Sequence, residues 1–447
     1  MHKPTPEQAQ WNNLLEKALD QAKKLGATQA EGSLSISQGL SSTIRMGCVE
    51  TIEFTQDRAF SITVYQDQRK GSASANDFSD KALSQAVEAA LRIARYAEPD
   101  PYSGLVEASE LADLAALPNL DLHHPESVSV EDACAWAKDC EDFARAYDTR
   151  IVNSEGASFS KHDAYAIFGN SHGFLAGNAG TSYSLSCAVV AKDNQGEMQR
   201  DYDYTVSRWL KGLESAKTIG EQAALRTVKR LSPRKIKTGR LPVVFSPDVA
   251  PGLFSSFSGA ISGGNLYRRS SCMLDTLGKQ VFPEWMLIQE RPHLPRGLAS
   301  ANFDQDGVAT READIVKEGI LQTYLLGGYS ARKLGMKSTG HASGIHNWLV
   351  QPTVSGLSEL LQICGTGLFV TELMGFGVNI VTGDYSQGIA GFWVENGELQ
   401  YPVQEVTIAG HLPEMFKHIV AIGGDVDKRR NIQTGSVLIE AMIVAGE

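Results

Sequence analysis

"VTGDYSQGIAGFWVENGELQYPVQEVTIAG", residues 381–410, decides the fold class of this 447-residue chain. At its centre, Asn396-Gly397 separates the apolar-rich runs FWV and LQY. An Asn-Gly pair readily supplies the two left-handed residues of a tight turn, so the stretch predicts an antiparallel hairpin. Comparable segments surround it: QDGVATRE (305–312), EADIVKEGILQTYLLGG (312–328), GLFVTELM (367–374) and NIQTGSVLIEAMIVAG (431–446). Dense short strands with glycine corners predict a sandwich or barrel.

The first half reads differently. Trp11, Leu14, Leu15, Ala18, Leu19 and Ala22 recur at spacings of three and four, which is one face of a helix. Alternating runs with intervening glycines then predict four or five antiparallel strands as far as Asn76. From Ser79 the helical period returns, with Ala82, Ala86, Ala89, Ala90, Ile93 and Ala94 on one face. Prolines 99, 101, 118 and 125 mark an irregular crossing. A helix over 129–147, a meander over 149–208 that turns at Asn194-Gln195-Gly196, and a helix over 215–231 complete this half. Pro233–Gly239 is basic and without periodicity, and is the natural boundary. The expected fold is therefore α+β: a domain of helices and antiparallel strands over 1–232, and a β-rich, sandwich or barrel-like domain over 240–447.

A net charge of −11 argues against a surface built for nucleic acid, which requires a basic stripe. No run of 18 apolar residues and no signal-peptide core occurs, so the reading is a cytoplasmic protein with no membrane partner. Cysteines 48, 134, 140, 187, 272 and 364 form no CxxC pair and are expected as reduced thiols.

The catalytic inventory is thin. None of the ten histidines lies in HExxH, no GxSxG elbow precedes a helix, and GGDVDKRRNIQTG lacks the ending of a phosphate loop. His123, His124 and Glu126 read as a solvated loop. Counting from Asp304, a calcium loop would place glycine and a carboxylate where Ala309 and Ile315 stand, so Asp306-Gly307 reads as a turn. His341 and His346, in STGHASGIHNWLV, have a glycine-rich setting in which backbone can approach a ligand. Their five-residue spacing fits neither a helix face nor a zinc finger. A further stretch, PGLFSSFSGAISGGN (251–265), follows the strand LPVVFS and contains no charged side chain.

Residues 381–410 and 431–446, with ALSQAVEAALRIARYAEPDPYSGL (82–105), closely resemble the PmbA branch, also called TldE, of the TldD/PmbA family. The family is associated with a two-subunit zinc metalloprotease. In the TldD branch a helix after a Pro-Gly pair carries HExxxH, two zinc-binding histidines and a glutamate that acts on metal-bound water. An ungapped count from Pro251-Gly252 puts Ser256 and Ile261 at the histidines and Phe257 at the glutamate. The resemblance thus implies a pseudo-active helix and no metal ligand in this chain. Zinc is expected in a TldD-type partner, the two chains enclosing a cleft for unfolded or leader peptides. His341, His346, Gly383 and Asp384 are cleft candidates, and the isolated chain is expected to pair with itself. Two other readings stay open: a non-enzymatic protein-binding regulator of the gyrase-modulator type, and a homodimeric peptidase with a metal site around His341 and His346.

Overall fold

The computed structural model describes residues 6–447. Helix α1 (Pro6–Lys24) leads into strands β1 (Gln29–Arg45), β2 (Cys48–Gln66) and β3 (Arg69–Ala75). Helices α2 (Asp80–Tyr96) and α3 (Val130–Tyr147), strands β4 (Ile151–Asn170), β5 (Leu175–Lys192) and β6 (Met198–Ser207), and helix α4 (Ala216–Lys229) follow. The six strands form one antiparallel sheet in the order β3-β2-β1-β4-β5-β6. The segment expected to hold four or five strands holds three. Gly32 and Gly39 sit inside the paired length of β1 rather than at corners, and the chain turns at Met46-Gly47 and again at Asp67-Gln68, all four at positive φ.

Even-numbered residues of β1 are buried almost throughout its length. They face the helices in two clusters: Leu15, Leu83, Val87 and Leu91 of α1 and α2, and Ala133, Ala137, Cys140, Ile219 and Ala223 of α3 and α4. The buried stripe of α2 centres on Leu83, Val87, Ala90 and Ala94, while Ile93 points outward. Glycines permit close approach: a side chain at Gly71 would meet the backbone of Ala90 and Ala94, and one at Gly220 that of Cys140.

The second half is a barrel with a smaller sheet beside it. Strand β7 (Gly239–Phe245) is followed by α5 (Pro251–Ala260) and the short strands β8 (Ile288–Glu290), β9 (Ala313–Lys317), β10 (Ile320–Leu321) and β11 (Trp348–Val350). Then come β12 (Gly367–Met374), β13 (Asp384–Glu395), β14 (Glu398–His411), β15 (Ile419–Ile422), β16 (Ile432–Gln433) and β17 (Val437–Ala445). Strands β14-β13-β12-β7-β17 lie in sequence, and pairing of Thr407–Ala409 in β14 with Ile443–Ala445 in β17 closes the ring. Closure removes the exposed edges an open sheet would leave. The hairpin at Asn396-Gly397 joins β13 to β14, with both residues at positive φ. The smaller sheet runs β10-β9-β8-β11-β16.

Arg332 joins the halves by donating to the carbonyls of Tyr102, Gly104 and Leu105, and Arg429 does so through Asp203 and the Tyr204 carbonyl. Among the described residues no helix is long and apolar enough to cross a membrane.

Candidate functional site

Helix α5 begins at Pro251, whose missing N–H costs nothing in the first turn. Leu253, Phe254, Phe257 and Ala260 recur at helical spacing and form its buried face. Phe257 is 0% exposed. Its ring stands 4.9 Å from Phe282 and 5.5 Å from Phe416, edge-on to both, and 6.2 Å from Trp348. Ser256 turns its hydroxyl back to the Gly252 carbonyl at 2.9 Å, and Ile261 is fully buried. At the three positions that an ungapped count from Pro251-Gly252 sets against HExxxH, the helix therefore offers a locally satisfied hydroxyl and two apolar groups. They do not fit a zinc ion.

The other sequence candidates fall into two places. Gly383 and Asp384 belong to a turn at the start of β13. Gly383 has φ of 87° and its carbonyl accepts from Leu412, while Asp384 is exposed, accepts from Thr382 and pairs with His411 in the ladder.

His341 and His346 are brought together with a residue the sequence reading did not single out, Glu290. The carboxylate ends β8, directly opposite Trp348 at the start of β11, so the chain entering β11 must bring His346 against it. Glu290 Oε1 accepts from the His346 backbone N–H at 2.9 Å and lies 2.6 Å from His346 Nδ1. It lies 3.7 Å from His341 Nε2, beyond hydrogen-bond length. Thr339 Oγ1 holds His341 Nδ1 at 2.9 Å, fixing the ring from behind. The three residues are 0%, 8% and 3% exposed in the order Glu290, His341, His346. Burial alone would push the Glu290 carboxyl up. The histidines outweigh it, His346 through its hydrogen bond and both by charge, and hold it at about 2.

Around this cluster Asp304 accepts the N–H groups of Asp306 and Val308 through one oxygen and that of Ala342, next to His341, through the other. Burial and the nearby Asp306 charge push its carboxyl up to about 6 against the pull of these bonds. The Asp306-Gly307 turn is as expected, but it joins a single bridge from Phe303 to Ala309 rather than two strands.

A cavity of about 310 Å³ opens between the halves, lined in part by Glu31, Tyr65, Lys70, Asp100, Asp306 and Arg332. Tyr65 donates to Glu31 at 2.8 Å, and burial pushes the Glu31 carboxyl up. A larger depression of about 640 Å³ beside α2 is lined by Gln85, Glu88, Arg92 and Arg95. It holds no such convergence of buried polar groups, and size alone does not make it the functional site.

Three successive family models match: PmbA/TldA metallopeptidase domain 1 over residues 30–94, the central domain over 123–231 and the C-terminal domain over 238–446. The strands of the first two share the six-stranded sheet. The chain is 50% identical over 437 residues to Metalloprotease PmbA of Escherichia coli, covering 97% of this chain and 96% of that one. It is also 50% identical over 430 residues to the Metalloprotease PmbA homolog of Haemophilus influenzae, covering 96% and 94%. In structure it is similar to a Bacteroides thetaiotaomicron protein described as a candidate modulator of DNA gyrase, with a TM-score of 0.93, 27% identity and full coverage of both chains. TldE from Thermococcus kodakarensis shares the fold, with a TM-score of 0.80 at 19% identity over 97% of this chain and all of that one. With matches running nearly from end to end, the chain belongs to the PmbA branch of the PmbA/TldD metallopeptidase family.

Proposed function

We propose that this chain is the non-hydrolytic subunit of a two-chain zinc peptidase of the cytoplasm. It pairs with a homologous TldD-type chain that bears HExxxH, and the two enclose a cleft in which an unfolded or leader peptide is cut. The observation that carries this reading is the interior of α5. On the ungapped count Phe257 takes the place of the catalytic glutamate; it is buried in an aromatic cluster, and neither Ser256 nor Ile261 offers a zinc-binding side chain. Water activation on a metal then belongs to the partner, and this chain contributes walls and a docking surface.

Two features support a partner. Only Phe60–Gln66 of β2 pair with β3, so Cys48–Ala59 present an outer strand edge carrying exposed Val49, Ile52 and Phe54. A free edge of this kind favours strand addition by another chain. Phe376, before β13, is fully exposed. We assign both to contact with the second chain. The metalloprotease relatives at 50% identity support peptide-bond hydrolysis as the chemistry of the pair. Turnover of an unfolded peptide by the two chains together and apart tests the reading.

A further inference from the structure

Buried polar atoms without partners are uncommon in folded proteins and each calls for an explanation. In this chain three of them, Glu290 Oε2, His341 Nε2 and His346 Nε2, fall in one cluster, and the second of these faces Glu290 Oε1 at 3.7 Å without bonding to it. The cluster lies outside α5 and is made of two imidazoles and one carboxylate, each able to offer a ligand atom within 4.8 Å of the others. We propose that Glu290, His341 and His346 form a binding site for a divalent first-row transition ion of the zinc type, structural in role, which fastens the segment Ser338–Asn347 to β8.

The donor set fits such an ion. Neutral imidazole and carboxylate are the ligands of zinc and its neighbours, while magnesium favours a shell of oxygens. The spacing fits as well. Two atoms bound to one zinc at about 2.0–2.1 Å in a tetrahedron lie roughly 3.4 Å apart. His341 Nε2 and Glu290 Oε1 are already 3.7 Å apart, too far for a hydrogen bond and close to the separation of two ligands of one ion. His346 Nδ1, at 2.6 Å from the same oxygen, would exchange a shared proton for the ion and move outward by less than about 1 Å. Thr339 behind His341 Nδ1 supplies the outer hydrogen bond that fixes a ligating ring.

The site is also built to be structural. Glu290 is fully buried and both histidines nearly so, which leaves no place for a peptide at the ion. Entry is through the segment itself, whose tip, Ser343-Gly344, is exposed. The ion would cross-link two regions separated by about fifty residues, and closing a long loop stabilises chiefly through the unfolded state. The proposal departs from the expectation that this chain holds no metal, but leaves the assignment of hydrolysis to the partner untouched.

The test is metal content rather than activity. The full chain is stripped with a chelator, dialysed separately against zinc, cobalt or magnesium salts, and measured by elemental analysis and thermal melting. The expected result is about one zinc or cobalt ion retained per chain, a higher melting temperature with either, and no retention of magnesium. Glu290→Gln keeps the size of the side chain and an acceptor for the His346 N–H, and is expected to weaken zinc binding at least about tenfold while circular dichroism shows a folded chain. The double variant His341→Ala/His346→Ala is expected to retain none. Wild-type chain that retains no zinc or cobalt, or a double variant that retains as much as wild type, would overturn the proposal. The wild-type measurement decides even if a variant fails to fold.

Discussion

Phe257 meets Phe282 edge-on, ring centroids 4.9 Å apart and planes at 81°, at the position that the proposed register assigns to the glutamate of HExxxH. Aromatic packing and metal hydrolysis are mutually exclusive there, because a glutamate needs water and a charge partner while Phe257 is sealed from both.

Phe257→Ala is expected to destabilise the chain by about 3–5 kcal/mol, read from urea unfolding, since a ring enclosed on three sides leaves a cavity its neighbours cannot fill. The combined exchange Ser256→His, Phe257→Glu and Ile261→His should cost more and give an unfolded chain rather than a peptidase. A folded variant with zinc-dependent hydrolysis would show that the scaffold had kept a usable site.

Arg332 donates from each of its three guanidinium nitrogens to a carbonyl across the domain junction, those of Tyr102, Leu105 and Gly104. Lysine cannot reproduce that fork. Arg332→Lys should lose about 1–3 kcal/mol of docking energy. Hydrogen exchange would register it as faster exchange around residues 102–106, and unchanged protection would count against the clasp.

For Asp304 the sign follows from a folded value near 6 against an ordinary 3.8. The folded state binds this proton more tightly than the unfolded chain. The contribution is therefore fully present below the unfolded value and is lost as pH rises through about 6. Asp304→Asn removes the ionisation, so its stability relative to wild type should rise by about 2–3 kcal/mol between roughly pH 4 and pH 7. A difference that stays flat across that window would contradict the assignment.

Phe54 and Phe376 are exposed enough that their loss should leave folding intact. Phe54→Ser and Phe376→Ser are expected to unfold within about 0.5 kcal/mol of wild type. If both anchor the second chain, each should weaken association by about 2 kcal/mol or more, roughly thirtyfold, by titration calorimetry. Undiminished affinity in both would place the interface elsewhere.

Local chemistry made much of this architecture legible. Asn396-Gly397 could only turn a hairpin, Ser79 caps α2 by accepting from the Ala82 N–H, and Pro251 starts α5. What stayed hidden depends on long-range pairing. Glycines inside β1 look like corners until β2 and β4 flank them, and barrel closure through β14 and β17 leaves no mark in either strand alone. His341 and His346 stood out for their setting. Glu290, in a three-residue strand with no periodicity, became visible only when β8 paired with β11.

The most direct measurement is hydrolysis of an unfolded peptide by this chain alone, by an HExxxH-bearing TldD-type partner alone, and by their mixture, each with and without a chelator. The account predicts no turnover by this chain by itself, turnover in the mixture, and its loss with the chelator. Peptide hydrolysis by this chain alone would contradict it, and would mean that chemistry occurs at a site other than the sealed helix α5.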